Sequence, residues 1–259
     1  MIRASTAICA VSMLIGLACT ATAKAEESVP APATTLWSDF TFAANVTLAS
    51  QYRYRGLMQT NNKPAIQGGF DVVHTSGFYL KNWNSSISWL GDSNPSVSAP
   101  IESDFYAGYT GKIWEDLAVD AGLLRYYYAG DYPAGYTSPN TTEAYVGLIY
   151  GPLAFRYSHA FTNLFGVADS KNSQYYEVSG KFGLIEGVTF DVHAGYQRLN
   201  RVTDGSYADW SLGFTKTWNN GVSASLAYID TNADQVFYTN TKGRYMGKST
   251  ALLSLTKSF

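Results

Sequence analysis

GVTFDVHAGYQRL, Gly187 to Leu199, alternates with a period of two. Val188, Phe190, Val192, Ala194 and Tyr196 share one face; Thr189, Asp191, His193, Gly195 and Gln197 share the other. A strand sends successive side chains to opposite sides, so this stretch reads as a strand with one apolar and one polar face. The pattern recurs. In 173–184, Tyr176, Val178, Phe182 and Leu184 oppose Glu177, Ser179 and Lys181; in 207–218, Ala208, Trp210, Leu212 and Phe214 oppose Asp209, Ser211 and Thr215. In 40–55, Phe42, Ala44, Val46 and Leu48 oppose Thr41, Asn45 and Thr47.

Working outward gives twelve strand candidates: 40–55, 64–74, 78–90, 100–111, 117–128, 141–150, 152–161, 173–184, 187–199, 207–218, 221–230 and 248–259. Most run about 10–12 residues, near the ~9–11 that a tilted strand needs to cross a bilayer, against about 5–6 for ordinary strands. The segment 78–90 loses phase near Asn82 to Asn84, which predicts a bulge. Connectors alternate in length. Long ones such as GLMQTNNK (56–63), AGDYPAGYTSPN (129–140) and TNADQVFYTNTKGRYMG (231–247) follow odd strands. Short ones follow even strands, at Thr75, Trp114, Gly151-Pro152, Ile185 and Asn220-Gly221, the last a type I′ signal. Long loops at one end, tight turns at the other and an even strand number predict an all-β, antiparallel, up-and-down transmembrane barrel of about 12 strands.

Composition agrees. The chain has 20 Tyr, 13 Phe, 6 Trp and 23 Gly among 259 residues, a β-rich balance. Arg3, the apolar run Ala7–Ala18 and the small residues Ala23 and Ala25 read as a secretory signal peptide over 1–25. Residues 26–38, EESVPAPATTLWS, read as a flexible lead, with the barrel over 39–259. Both cysteines, Cys9 and Cys19, fall in the signal, so the exported chain has no disulfide and no thiolate site. The three histidines, His74, His159 and His193, have no metal spacing, and no cofactor is implied. The 18 basic residues less Arg3 and Lys24, against 20 acidic ones, give the exported chain a formal charge of −4. That balance argues against nucleic acid as a partner.

In a membrane barrel the apolar face meets lipid and the polar face lines the lumen. Parity then assigns the pore-lining candidates Arg53, Arg55, Gln67, Asp71, Glu102, Asp104, Asp120, Glu143, Arg156, Glu177, Lys181, Asp191, His193 and Asp209. Acids lead among them, which predicts a mild preference for cations or neutral solutes. In SQYRYRG (50–56), the same parity sends Tyr52 and Tyr54 to an outer aromatic girdle and Arg53 and Arg55 to the pore mouth. The arginines are expected to brace the wall, with Gln67 and Asp71 as neighbours of the same parity; a charged filter is the alternative.

ANVTLASQYRYRG, PAIQGGFDVVHTSGFYLKNWNS and the closing LSLTKSF resemble the proteobacterial TorF family of porin-like proteins. The resemblance implies an outer-membrane barrel with a transport role and supplies no functional residues. The end, KSTALLSLTKSF, is also similar to the C-terminal signal through which such barrels meet their assembly machinery, here at Phe259, with Lys257 as a departure. The partners expected are outer-membrane lipid, that machinery and small polar solutes, in a Gram-negative outer membrane.

Three functions compete. A narrow channel for ions and small polar solutes suits twelve strands, between the filled barrels of about 8 and the wide ones of 16–18. A lipid-modifying enzyme needs a nucleophile beside a base, but Ser158 and His159 are sequence neighbours and point apart, and His193 reads as isolated. An adhesive or structural barrel would use loops 129–140 and 231–247, with Tyr132, Tyr136, Phe237 and Tyr238.

Overall fold

A computed structural model describes residues 38–259. The expected signal peptide and nearly all of the lead lie outside the described residues. The strands are β1 (Phe40–Ala49), β2 (Arg53–Tyr54), β3 (Leu57–Met58), β4 (Ala65–His74), β5 (Phe78–Ser86), β6 (Ser98–Trp114) and β7 (Leu117–Asp131). They continue with β8 (Thr141–Tyr150), β9 (Leu153–Ala160), β10 (Gln174–Ile185), β11 (Val188–Arg198), β12 (Tyr207–Thr217), β13 (Val222–Thr231) and β14 (Thr250–Ser258). One short helix, α1 (Trp89–Ser93), lies between β5 and β6.

Twelve of these strands close into one barrel, each antiparallel to its neighbours, and β2 and β3 form a separate two-stranded hairpin. Closure pairs β1 with β14, Leu48 opposite Leu255. Phe259 completes it: its amide donates to the Ala44 carbonyl at 2.9 Å and its carbonyl accepts from the Ala44 amide at 3.3 Å.

The apolar face points outward. Leu48, Ile66, Leu80, Phe105, Leu123, Val178, Leu212 and Leu253 are exposed around the barrel. Aromatic residues flank that band. Trp114, Tyr150, Trp218 and Phe259 stand exposed toward the turn end, and Tyr127, Tyr196, Trp210 and Tyr228 toward the loop end. Trp210 and Tyr228 pack at 5.4 Å between ring centres, as do Tyr157 and Tyr176 at 5.2 Å. An apolar exterior between two aromatic girdles is the surface of a barrel that sits in a bilayer. Lys257 holds the outward parity read from the sequence, and its ammonium turns to the Asn220 carbonyl beside the Phe259 ring.

Four details depart from the sequence reading. The first barrel strand stops at Ala49 rather than at residue 55. β5 runs without a register shift; Asn82 and Asn84 both sit on its outer face, Asn84 donating to Asn82 Oδ1 at 2.6 Å. The shifts lie instead at Ser98/Ile101, Lys112/Trp114 and Gly183/Ile185. The Asn220-Gly221 turn is not type I′, since only Gly221 of the pair takes positive φ, +76°. β6 and β7 are also longer than expected, at 17 and 15 residues. At ~3.3 Å per residue β6 spans roughly 55 Å, more than a ~30 Å hydrocarbon core.

Candidate functional site

The segment after Ala49 folds into the barrel. Ser50 continues the β14 ladder, its amide donating to the Leu253 carbonyl at 2.8 Å. Gln51 then bonds the Thr250 hydroxyl at 2.7 Å, and the chain turns inward. Tyr54 pairs with Leu57 across a two-residue connection, Arg55-Gly56. Both connecting residues have positive φ, +46° and +77°, which is a type I′ turn. The tip leans on β12 and β13. A Cβ built on Gly56 would lie 2.8 Å from Asp209 Cβ and 3.1 Å from Thr231 Cβ, so the backbone uses the space a side chain would fill.

Tyr52 and Tyr54 therefore do not belong to the girdle. Tyr52 is 2% exposed inside the barrel, and its hydroxyl donates to Glu102 Oε1 at 3.0 Å. The Tyr54 hydroxyl meets that of Tyr126, which with Tyr128 is also buried within rather than facing lipid. Phe165 closes on both Tyr54 and Tyr126, at 5.6 and 5.0 Å between ring centres.

Arg55 lies at the centre. Its guanidinium forks onto Glu143, Nη2 to Oε2 at 2.8 Å and Nη1 to Oε1 at 3.1 Å. Nη1 also donates to Gln197 Oε1 at 2.7 Å, and the group stacks 4.1 Å from the Tyr175 ring. One residue thus ties the hairpin to β8, β10 and β11. The fork geometry and the stacking are properties of arginine that lysine does not share. Arg53 serves the loop instead. It donates to Gln51 Oε1, the Met246 carbonyl and Asn62 Oδ1, at 2.9, 2.7 and 3.0 Å.

The expected neighbours of the arginines are elsewhere. Gln67 donates to Ser85 at 3.3 Å, and Asp71 faces Lys81 at 4.0 Å. The remaining candidates share the inward parity. Asp120 accepts from Tyr79 at 2.5 Å and Asp191 from Thr215 at 2.6 Å. Lys181 lies opposite Asp191 in the register. His193 is not isolated: Nε2 is 2.8 Å from Asp209 Oδ1 and Nδ1 is 3.3 Å from Glu177 Oε1. A ring that donates from both nitrogens satisfies both carboxylates. Arg156 stacks 3.9 Å from Tyr145, and Asp104 is buried beside the hairpin. Ser158 is buried inward, while His159 faces out to Tyr157 and Asn172, so the two form no nucleophile–base pair.

Gln197, which the alternation had placed on the polar face, was not among the pore-lining candidates, and neither were Tyr175 and Tyr126, which are also buried inward. The same alternation that places their charged neighbours places all three.

Loops fasten the hairpin from above. The Gln59 carbonyl accepts from the amides of Ser88 and Trp89, and the Met58 amide donates to Met246. Lys242 pairs with Asp92 of α1. The hairpin, the α1 loop and the 232–249 loop therefore converge over one mouth of the barrel.

A closed antiparallel barrel with an apolar exterior, a polar lumen and a loop folded into that lumen defines a porin-like membrane barrel. The chain belongs to the bacterial protein family of unknown function Gcw_chp, whose profile matches residues 33–259. It is similar in fold to the KdgM porin, with a TM-score of 0.55 and 9% identity over 84% of this chain and 99% of that one. It is also similar to the NanC porin, at 0.51 and 11% over 83% and 98%. At such identity the likeness is one of fold. No curated protein matches the chain in sequence.

Proposed function

We propose that the protein is an outer-membrane channel for passive diffusion of ions and small polar solutes, narrowed where Ser50–Pro64 crosses the lumen. The observation that carries this reading is the hairpin. A barrel needed only as a scaffold has no use for two arginines and two tyrosines folded into its interior, whereas a channel needs a constriction of defined chemistry. The fold likeness to two porins and the resemblance to the TorF family support the same role. A Gram-negative outer membrane, reached through a cleaved signal peptide and the assembly machinery at Phe259, is the location that fits.

The test is single-channel conductance of refolded protein in planar bilayers, with wild type beside a variant in which Ser50–Pro64 is replaced by a short Gly-Ser turn. Discrete steps in wild type that grow in the variant support the channel and place its narrow point. Silence from both folded proteins overturns it.

An adhesive barrel is the second reading, favoured by Val236, which stands 88% exposed in the 232–249 loop. Val236→Asp that abolishes attachment to a surface while conductance is unchanged would favour it.

A further inference from the structure

Beside the hairpin lies a cavity of about 40 Å³, lined by Tyr54, Asp104, Tyr106, Arg156, Tyr175 and His193 among others. The charges around it can be accounted for one by one. Glu143 is taken by Arg55. Glu102 accepts from Tyr52. Glu177 and Asp209 both turn to His193, although the register sets Glu177 directly opposite Arg156. Two groups are left over. Arg156 Nη1 and Asp104 Oδ1 are buried with no hydrogen-bond partner, on residues 4% and 2% exposed. Buried charged groups without partners are costly and rare in native structures. Here one unpartnered donor and one unpartnered acceptor border the same cavity.

We infer that this cavity is a binding subsite for small carboxylic acids that also carry an amino or hydroxyl group. The carboxylate meets Arg156, whose planar guanidinium suits a two-oxygen acceptor. The amino or hydroxyl group donates to Asp104. The ring of Tyr145 holds the guanidinium in place from behind. On this measure a water needs ~10–15 Å³, so the cavity has room for about three waters, the size of a two- or three-carbon acid. An acid with no second polar group leaves Asp104 unmatched, and a simple cation leaves Arg156 unmatched. The subsite deepens the channel reading and rests on it only in requiring that solutes reach the lumen.

The experiment is ligand-observed NMR on the refolded full-length barrel in detergent micelles. The probes are lactate, glycine and propionate, and the proteins are wild type, Arg156→Gln and Asp104→Asn. Saturable binding of lactate and glycine is expected, with propionate weaker by about tenfold, the loss of one buried hydrogen bond. Arg156→Gln weakens all three acids by about tenfold or more, and Asp104→Asn narrows the gap between lactate and propionate. Folding of each variant is checked by its heat-dependent shift on gels. If Arg156→Gln does not fold, the lactate-to-propionate ratio in wild type and in Asp104→Asn decides the matter. No saturable binding to wild type, equal affinity for lactate and propionate, or unchanged affinity in folded Arg156→Gln overturns the subsite. Conductance on the same preparation separates the two readings. A pore without acid binding sinks the subsite alone, and acid binding without a pore sinks the channel alone.

Discussion

The lumen has two unlike walls. From β6 to β10 many of the inward side chains are large and strongly polar or aromatic: Glu102, Asp104, Tyr106, Tyr126, Glu143, Tyr145, Arg156 and Tyr175. On β12, β13, β14 and β1 most are small hydroxyls: Ser211, Thr215, Ser223, Ser225, Ser254, Thr256 and Thr47. The small wall is stitched by short side-chain contacts, Thr47 to Thr256 at 2.7 Å and Ser225 to Ser254 at 2.6 Å. The hairpin leaves the small wall at Ala49, sets its Gly56 tip near Asp209 and Thr231, and aims Tyr52, Tyr54 and Arg55 at the large wall. One wall provides room and the other provides recognition.

Changes on the two sides should therefore differ in size. Arg55→Ala is expected to cost most, about 3–5 kcal/mol, because Glu143 stays buried without its partner. Urea unfolding in micelles measures that loss, and larger conductance steps should accompany it. Replacing Arg55 by Met together with Glu143 by Leu should recover most of the stability while the hairpin stays mobile. A double variant as unstable as the single one would break the contrast between the walls.

Gly56→Val comes next, at roughly 2–4 kcal/mol, from strain at φ +77° together with the clash at Asp209 and Thr231. Tyr52→Phe removes the donor to Glu102 and should cost about 1.5–3 kcal/mol. Its conductance should change less than that of Arg55→Ala, since the backbone of the hairpin keeps its other ties. Ser225→Ala on the small wall should cost the least, about 0.5–1.5 kcal/mol, with unchanged conductance. A large conductance change from Ser225→Ala would mean that the small wall also recognises solute.

Much of the wall was legible. In β11 the inward positions Asp191, His193 and Gln197 follow directly from a period of two, and so do Glu102 and Asp104 in β6. The hairpin was not legible by that rule. Ser50 to Arg55 keeps the same alternation, and a tight hairpin is itself a pair of short strands. Length was the missed signal. A strand of 40–55 would hold 16 residues, beyond the ~9–11 that cross a bilayer. After Leu48 the supposed lipid face also loses its aliphatic residues and becomes Ser50, Tyr52 and Tyr54. The pairing of Arg55 with Glu143 links positions 88 apart in sequence, and no local pattern predicts it. His193 looked solitary for the same reason, since Asp209 reaches it from the next strand.

The seam between the first and last strands has a temporal consequence. β1 pairs with β4 from Phe40 to Ala49, but with β14 only from Asn45 to Ala49, and Phe259 supplies the final bonds at Ala44. Ring closure thus waits for β14, and it joins positions as far apart as Thr47 and Thr256, the kind of pairing that forms slowly. Until then the hairpin has no enclosed interior to enter, because β6 to β11 must already curve around to meet it. Maturation should run in order, with the sheet first, the seam second and the interior loop last, so that the molecule fits its own constriction only after it has become a tube.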